Sequence, residues 1–158
     1  GIQRELNEEK FDCIILGDVY EHLKNGPAIL SQLLAYLAPN GILLISVPNV
    51  CHFSARFRFL AGRFRYSDWG IFDRTHLRFF TFKTLLDELQ EMNLNVVHSH
   101  FVGKFFMNHR SPLYFDMRLL CFKKKWYCRL QHLFARLCPS LFAFQMVQKC
   151  QRKEVVKL

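Results

Sequence analysis

Two short apolar runs flank a helix-patterned segment early in the chain, and this arrangement limits the fold more than any other feature. Cys13-Ile14-Ile15-Leu16 ends at Gly17, and Ile42-Leu43-Leu44-Ile45-Ser46-Val47 ends at Pro48-Asn49. Continuous apolar runs of this length read as strands buried on both faces of a mostly parallel sheet. Between them, Asn25-Gly26-Pro27 closes one element and opens another, with Pro in the first turn of a helix. Ile29, Leu30, Leu33, Leu34 and Leu37 then form an apolar stripe at helical spacing. The spacing predicts a helix over 27–38, ended by Pro39-Asn40-Gly41. Strand, helix and strand make a βαβ unit with a right-handed crossover.

The rest of the chain continues the alternation. Residues 50–80 form an Arg- and Phe-rich connection punctuated by Gly62 and Gly70. Thr81 is placed to cap a helix running to about Met92, with Leu85, Leu86, Leu89 and Met92 facing inward and Asn93 as its stop. A third strand is expected over 96–102 and a fourth over 141–147, with one or two amphipathic helices in 113–137. The fold class is therefore α/β. The strand over 11–17 is too apolar to lie at an open sheet edge, and no candidate partner for its outer side exists in the sequence.

Length and composition bound the rest. With 158 residues, 51% hydrophobic and 17 Phe, the chain suits one packed domain. No stretch approaches the roughly 18 to 20 apolar residues of a membrane span. The start, Gly1-Ile2-Gln3-Arg4-Glu5, has no secretory pattern, and Gly in place of Met points to a missing natural beginning. Six Cys without regular spacing read as reduced thiols in the cytoplasm. From residue 104 onward the chain holds 12 of its 22 Lys and Arg but 2 of its 13 Asp and Glu, so the excess positive charge is local.

The stretches FDCIILGDVYEHL, LAPNGILLISVPNV, GRFRYSDWGIFDRTHLRFFT and LFAFQMV, in this order and spacing, resemble the C-terminal half of a class I S-adenosylmethionine-dependent methyltransferase, of the branch associated with glycan biosynthesis. The likeness covers about residues 10–103 and 139–150. It implies a Rossmann-like sheet ordered 3-2-1-4-5-7-6, of which strands 4, 5, 6 and 7 are here, with flanking helices, and strands 1 to 3 absent. The whole of 1–158 is then a single partial domain, with 104–139 a basic aromatic helical insertion before the last strand. The absent strands carry the family's Gly-rich donor loop, and no GxGxG occurs in this chain.

The resemblance implies S-adenosylmethionine as cofactor, a small-molecule or glycan acceptor, and a set of site residues. Asp18, at the carboxyl end of the first strand, lies at the donor and acceptor crevice, with a cofactor-binding and catalytic part. His76, in a segment that closes over substrate, is suited to act as the base, since a histidine titrates near a pKa of about 6.5. Asn49, Arg56, Arg58, Arg63 and Arg78 are assigned to the substrate, the arginines because a guanidinium fork matches phosphate. Asp18, Glu21 and His22 form a candidate divalent-cation shell, by likeness to relatives that methylate ubiquinone precursors.

Each assignment has a plainer counterpart. Glu21 and His22 can orient the turn after the strand, His76 can bond Asp73, and Asn49 can be a turn residue. The run Arg56, Arg58, Arg63 and Arg65 can be a solvated helix face beside Asp68 and Asp73. Residues 104–136, basic and aromatic together, suit an anionic membrane surface at the inner face, after packing on the sheet and ahead of nucleic acid, for which no RNA-binding signature appears. An enzyme and an inactive half-domain serving as a membrane or partner module both remain open, as does a partner chain that completes the sheet.

Overall fold

The structure, a computed structural model, describes residues 9–103 and 124–153. Strand β1 spans Phe11–Gly17 and is followed by a single 3-10 turn at Tyr20–His22. Helix α1 is Gly26–Ala35, strand β2 Leu37–Pro48 and helix α2 Phe53–Leu60. Helix α3 is Phe82–Glu91 and strand β3 Leu94–Gly103. Helix α4, Lys124–Leu137, leads through the short α5, Pro139–Phe142, into strand β4, Ala143–Arg152. The four strands form one sheet in the order β1-β2-β4-β3. β1 runs parallel to β2, and β4 runs antiparallel to both β2 and β3.

The βαβ unit forms as its pattern dictates, with two departures. Helix α1 ends at Ala35 rather than 38, because the Phe11 N–H donates to the Tyr36 carbonyl at 2.8 Å and Leu37 pairs directly with Phe11. The sheet thus captures the chain before Pro39-Asn40-Gly41, which becomes an irregular lead-in to β2 where the register shifts. The second departure concerns β1, expected to be buried on both faces. Leu16 is its one fully buried residue, Ile15 is 67% exposed, and among the described residues no strand pairs with its outer edge.

Helix α3 follows the expected chemistry closely. The Thr81 hydroxyl accepts from the Thr84 N–H at 3.0 Å while the Thr84 hydroxyl accepts from the Thr81 N–H at 2.9 Å, a reciprocal cap. Leu85 and Leu89 turn into the main core with Leu30, Leu43, Ile45, Leu94 and Met146. Asn93 ends the helix in the left-handed region at φ 58°. β4 departs most from its expected bounds: residues 141 and 142 belong to α5, where Pro139 starts a helical turn. The strand instead runs on to Arg152 through Gln148 and Cys150, both buried. The Ser99 hydroxyl donates to the Gln148 Oε1 at 2.6 Å, while the buried Nε2 of Gln148 has no hydrogen-bond partner. In the basic insertion, residues 104–123 lie outside the described residues, while α4 is helical as expected.

Removing the α3 cap tests this reading of the core's edge. Thr81→Ala lowers stability by about 1 kcal/mol in chemical denaturation, with an unchanged denaturant slope. An unchanged midpoint would show that tertiary packing alone holds the helix start.

Candidate functional site

The carboxyl ends of β1 and β2 open onto a cleft of about 330 Å3 lined by Asp18, Glu21, His22, Asp73, His76 and Gln145, with Trp69, Gly70, Pro48 and Phe144 at its walls. Asp18 is built into it by the ends of β1, β2 and β4 together. Its backbone sits at φ 52°, in the left-handed region that non-glycine residues seldom adopt, though aspartate tolerates it better than most. The N–H donates to the Ser46 carbonyl at 3.2 Å, and the carboxylate accepts from the Ser46 hydroxyl at 3.0 Å and the Gln145 amide at 2.5 Å. β2 and β4 therefore fix Asp18 over the end of β1.

Glu21 is the most constrained group in the cleft. It is 1% exposed, and neither carboxylate oxygen has a hydrogen-bond partner. Burial pushes its carboxyl up to about 7, and the nearby Asp18 charge adds to the effect. His76 Nε2 lies 3.9 Å from Oε1. The Glu21 carbonyl, by contrast, is fully engaged, accepting from the N–H groups of Leu77 (2.9 Å) and Arg78 (3.0 Å). That pair pins the segment carrying His76 onto the turn after β1.

The two imidazoles are oriented in the same way. His22 Nδ1 lies 3.0 Å from the Thr75 carbonyl and His76 Nδ1 lies 3.1 Å from the Ile71 carbonyl. A carbonyl accepts only, so both rings carry a proton on Nδ1, which leaves Nε2 as the atom each presents to the cleft. Their centroids are 4.8 Å apart, edge to face. Glu21, His22 and His76 each offer a ligand atom within 4.8 Å of the others. The loop behind them is stiffened by Asp73, whose carboxylate accepts from the Thr75 hydroxyl at 2.6 Å and N–H at 2.8 Å. Those bonds hold the Asp73 carboxyl below its ordinary range. The side chain of Asp73 therefore serves Thr75, and His76 takes up its backbone carbonyl only through its own N–H.

Other expected site residues are placed differently. Asn49 is fully buried, and its amide donates to the carbonyls of Ala143 (2.8 Å), Pro139 and Ser140 (each 3.3 Å) while its oxygen accepts from the Cys51 N–H. It clips the end of β2 to the start of β4. Arg78 forms a two-pronged pair with Glu88, lies over the rings of Tyr20 (5.2 Å) and Phe80 (4.9 Å), and packs against Gly26. Tyr20 donates its hydroxyl to the same Glu88, and burial pushes that phenol well up. Arg56 bonds the carbonyls of Cys51 and Ser140. Arg58 and Arg63, with Arg65, line a second cavity of about 560 Å3 together with Tyr66 and Ser67. For the cation shell, the structure clusters His76, rather than Asp18, with Glu21 and His22. Sequence reasoning missed this because His76 lies 54 positions beyond His22 and is brought to it by backbone carbonyls, those of Glu21 and Thr75.

The buried carboxyl gives a signed pH dependence in chelator-treated protein. Glu21 keeps its proton to about pH 7 when folded and releases it near 4.5 when unfolded. Between these values the folded state holds more protons, so stability falls as pH rises through the window. Glu21→Gln removes that share of the fall, which denaturant midpoints at about pH 5 and about pH 8 measure. A variant whose midpoints fall in parallel with the parent's contradicts the burial of the carboxyl.

Comparison with known proteins agrees with the sheet. The family model described as a methyltransferase domain matches residues 3–99. No curated protein matches the chain. A SAM-dependent methyltransferase from Archaeoglobus fulgidus superposes with TM-score 0.53 at 16% identity, over 96% of this chain and 63% of its own. A methyltransferase described as putative from Bacillus halodurans gives 0.51 at 14%, over 92% and 66%. PKMT2 from Rickettsia typhi, solved in complex with AdoHcy, gives 0.51 at 14%, over 93% and 36%. The chain thus spans less than two thirds of each, and likeness at these identities speaks for a Rossmann-like methyltransferase fold. Matched over more than half of its length by the family model, the chain belongs to the methyltransferase-domain family.

Proposed function

We propose that this chain forms the acceptor-side half of an S-adenosylmethionine-dependent methyltransferase, and that the methyl group goes to a hydroxyl of a sugar or glycan precursor. The observation that carries the reading is the strand order β1-β2-β4-β3, which corresponds to 4-5-7-6 of the order the family resemblance implies. On this reading the outer edge of β1 receives the strands that carry the donor's glycine loop. The cleft over β1 and β2 is then the crevice at the switch point of an open α/β sheet.

The chemistry follows from what the cleft holds. In methyl transfer the acceptor oxygen bonds the methyl carbon as the carbon–sulfur bond breaks, the sulfur keeps the electron pair, and the hydroxyl proton goes to a base. Alignment supplies most of the acceleration. His76 Nε2 accepts the proton, and the Ile71 carbonyl stabilises the Nδ1–H of the resulting imidazolium. Asp18, fixed by Ser46 and Gln145, orients donor and acceptor.

A second reading rests on the unpartnered Glu21 carboxylate. A buried carboxylate without a hydrogen bond, facing two imidazoles each held through Nδ1 by a carbonyl, has the donor set and outer support of a divalent-cation site. Such a cation, when bound by Glu21, His22 and His76, would polarise a coordinated hydroxyl. His76 Nε2 is then a ligand, and the base role falls away.

Calorimetric titration of S-adenosylmethionine and of its demethylated product tests the half-domain reading. The chain on its own shows no heat at high micromolar ligand, because the donor loop is not among its residues. Binding at a low micromolar dissociation constant contradicts this and places a whole donor site within these residues or across a pair of chains.

A further inference from the structure

We propose that α2 and the turn after it form a docking surface for an anionic lipid bilayer. Helix α2 ends at Leu60, and Gly62, with a φ of 63°, reverses the chain just beyond it, the Gly62 N–H donating to the Phe59 carbonyl and the Arg63 N–H to the Arg58 carbonyl. The reversal brings Arg63 and Arg65 back beside Arg58 around the second cavity. Among the described residues none of these three has an ion-pair partner. The nearby Asp68 is paired with Arg74 at 2.6 Å. The same segment leaves large apolar side chains bare: Leu60 is 83% exposed and Phe57 67%, and Phe64 is exposed as well. Phe57 and Leu60, three apart, share one face of the helix.

Phosphate recognition alone accounts for the arginines and leaves the apolar groups without a partner. A bilayer of acidic lipid accounts for both, since headgroup phosphates meet the guanidinium groups while Phe57 and Leu60 enter the acyl boundary. The surface is anchored, as an interfacial device must be. Phe59 packs on Phe64 and Phe72, and Arg58 lies 5.7 Å over the Phe72 ring. A ring series from Phe57 through Phe53 and Phe142 to Phe134 ties it to α4, where Leu133 and Leu137 are also exposed. Among the described residues no helix is long and apolar enough to cross a membrane, so the contact lies on the surface.

Co-sedimentation with vesicles tests this independently of methyl transfer. Phosphatidylglycerol-rich vesicles bind the chain, pure phosphatidylcholine vesicles do not, and added salt weakens the binding. The pair Phe57→Ser with Leu60→Ser, and the set Arg58→Gln, Arg63→Gln and Arg65→Gln, each lower the bound fraction about tenfold or more. Lys83→Gln, on exposed α3, leaves it unchanged. Should either multiple variant lose its circular dichroism, Leu60→Ser alone is read in the same way. Three results overturn the proposal: equal binding to both vesicle types, variants that bind as the parent does, or vesicle binding lost only on neutralising Lys123, Lys124 and Lys125. Inorganic pyrophosphate binding without any vesicle binding likewise overturns it, since the arginines then serve a free phosphate.

Discussion

The structure depends on β4 being hydrogen-bonded along both edges. It pairs antiparallel with β2 from Leu43↔Cys150 to Pro48↔Gln145, and with β3 from Leu94↔Arg152 to Gly103↔Ala143. Its polar side chains find separate solutions: Gln145 reaches Asp18 and the Gln148 Oε1 accepts from Ser99. Its position carries the functional geometry too. Gln145 reaches Asp18, Phe144 lines the cleft, and the Ala143 carbonyl receives Asn49. Three strands thereby meet at one end of the sheet, where the cleft opens.

Two polar knots transmit that order to the segment carrying His76. The first is Tyr20, Arg78 and Glu88, in which one carboxylate serves a phenol and a guanidinium, and which joins the turn after β1 to α3. Arg78 also lies over two rings, so a lysine there would forfeit both the fork and the stacking. The second is the Glu21 carbonyl with its two backbone donors. Between the knots, residues 74–80 have little freedom, and the His76 ring has one place to lie. The cost is the Glu21 carboxylate, left buried without a hydrogen bond. Such a group is expensive to keep charged unless something binds it.

What could be read in the sequence follows from the range of the interaction concerned. Local chemistry was legible: the Thr81 cap, the Asn93 stop, the apolar runs of β1 and β2, and Asp18 at the end of a strand. Long-range ties were not. Arg78 and Asn49 carried the right chemistry for a substrate but serve Glu88 and the chain at 139–143, partners that no spacing rule connects to them. β4 was cut short because Gln148, Lys149 and Gln151 break the apolar pattern that marks a strand. The exposure of Ile15 runs against the composition of β1, since an apolar run marks a strand but not whether its face and edge are covered. His22 and His76 meet because a backbone carbonyl between them holds two later N–H groups, a contact that leaves no trace in side-chain spacing.

Glu21, His22 and His76 converge with both imidazoles turned by backbone carbonyls to present Nε2 to the cleft. Long-range proton–nitrogen correlation NMR of the histidine rings at neutral pH measures this directly. His22 and His76 should both show a proton on Nδ1, and Glu21→Gln should shift their Nε2 signals while sparing His98. A ring protonated on Nε2 alone, or Nε2 signals indifferent to the loss of the Glu21 carboxyl, would contradict this arrangement.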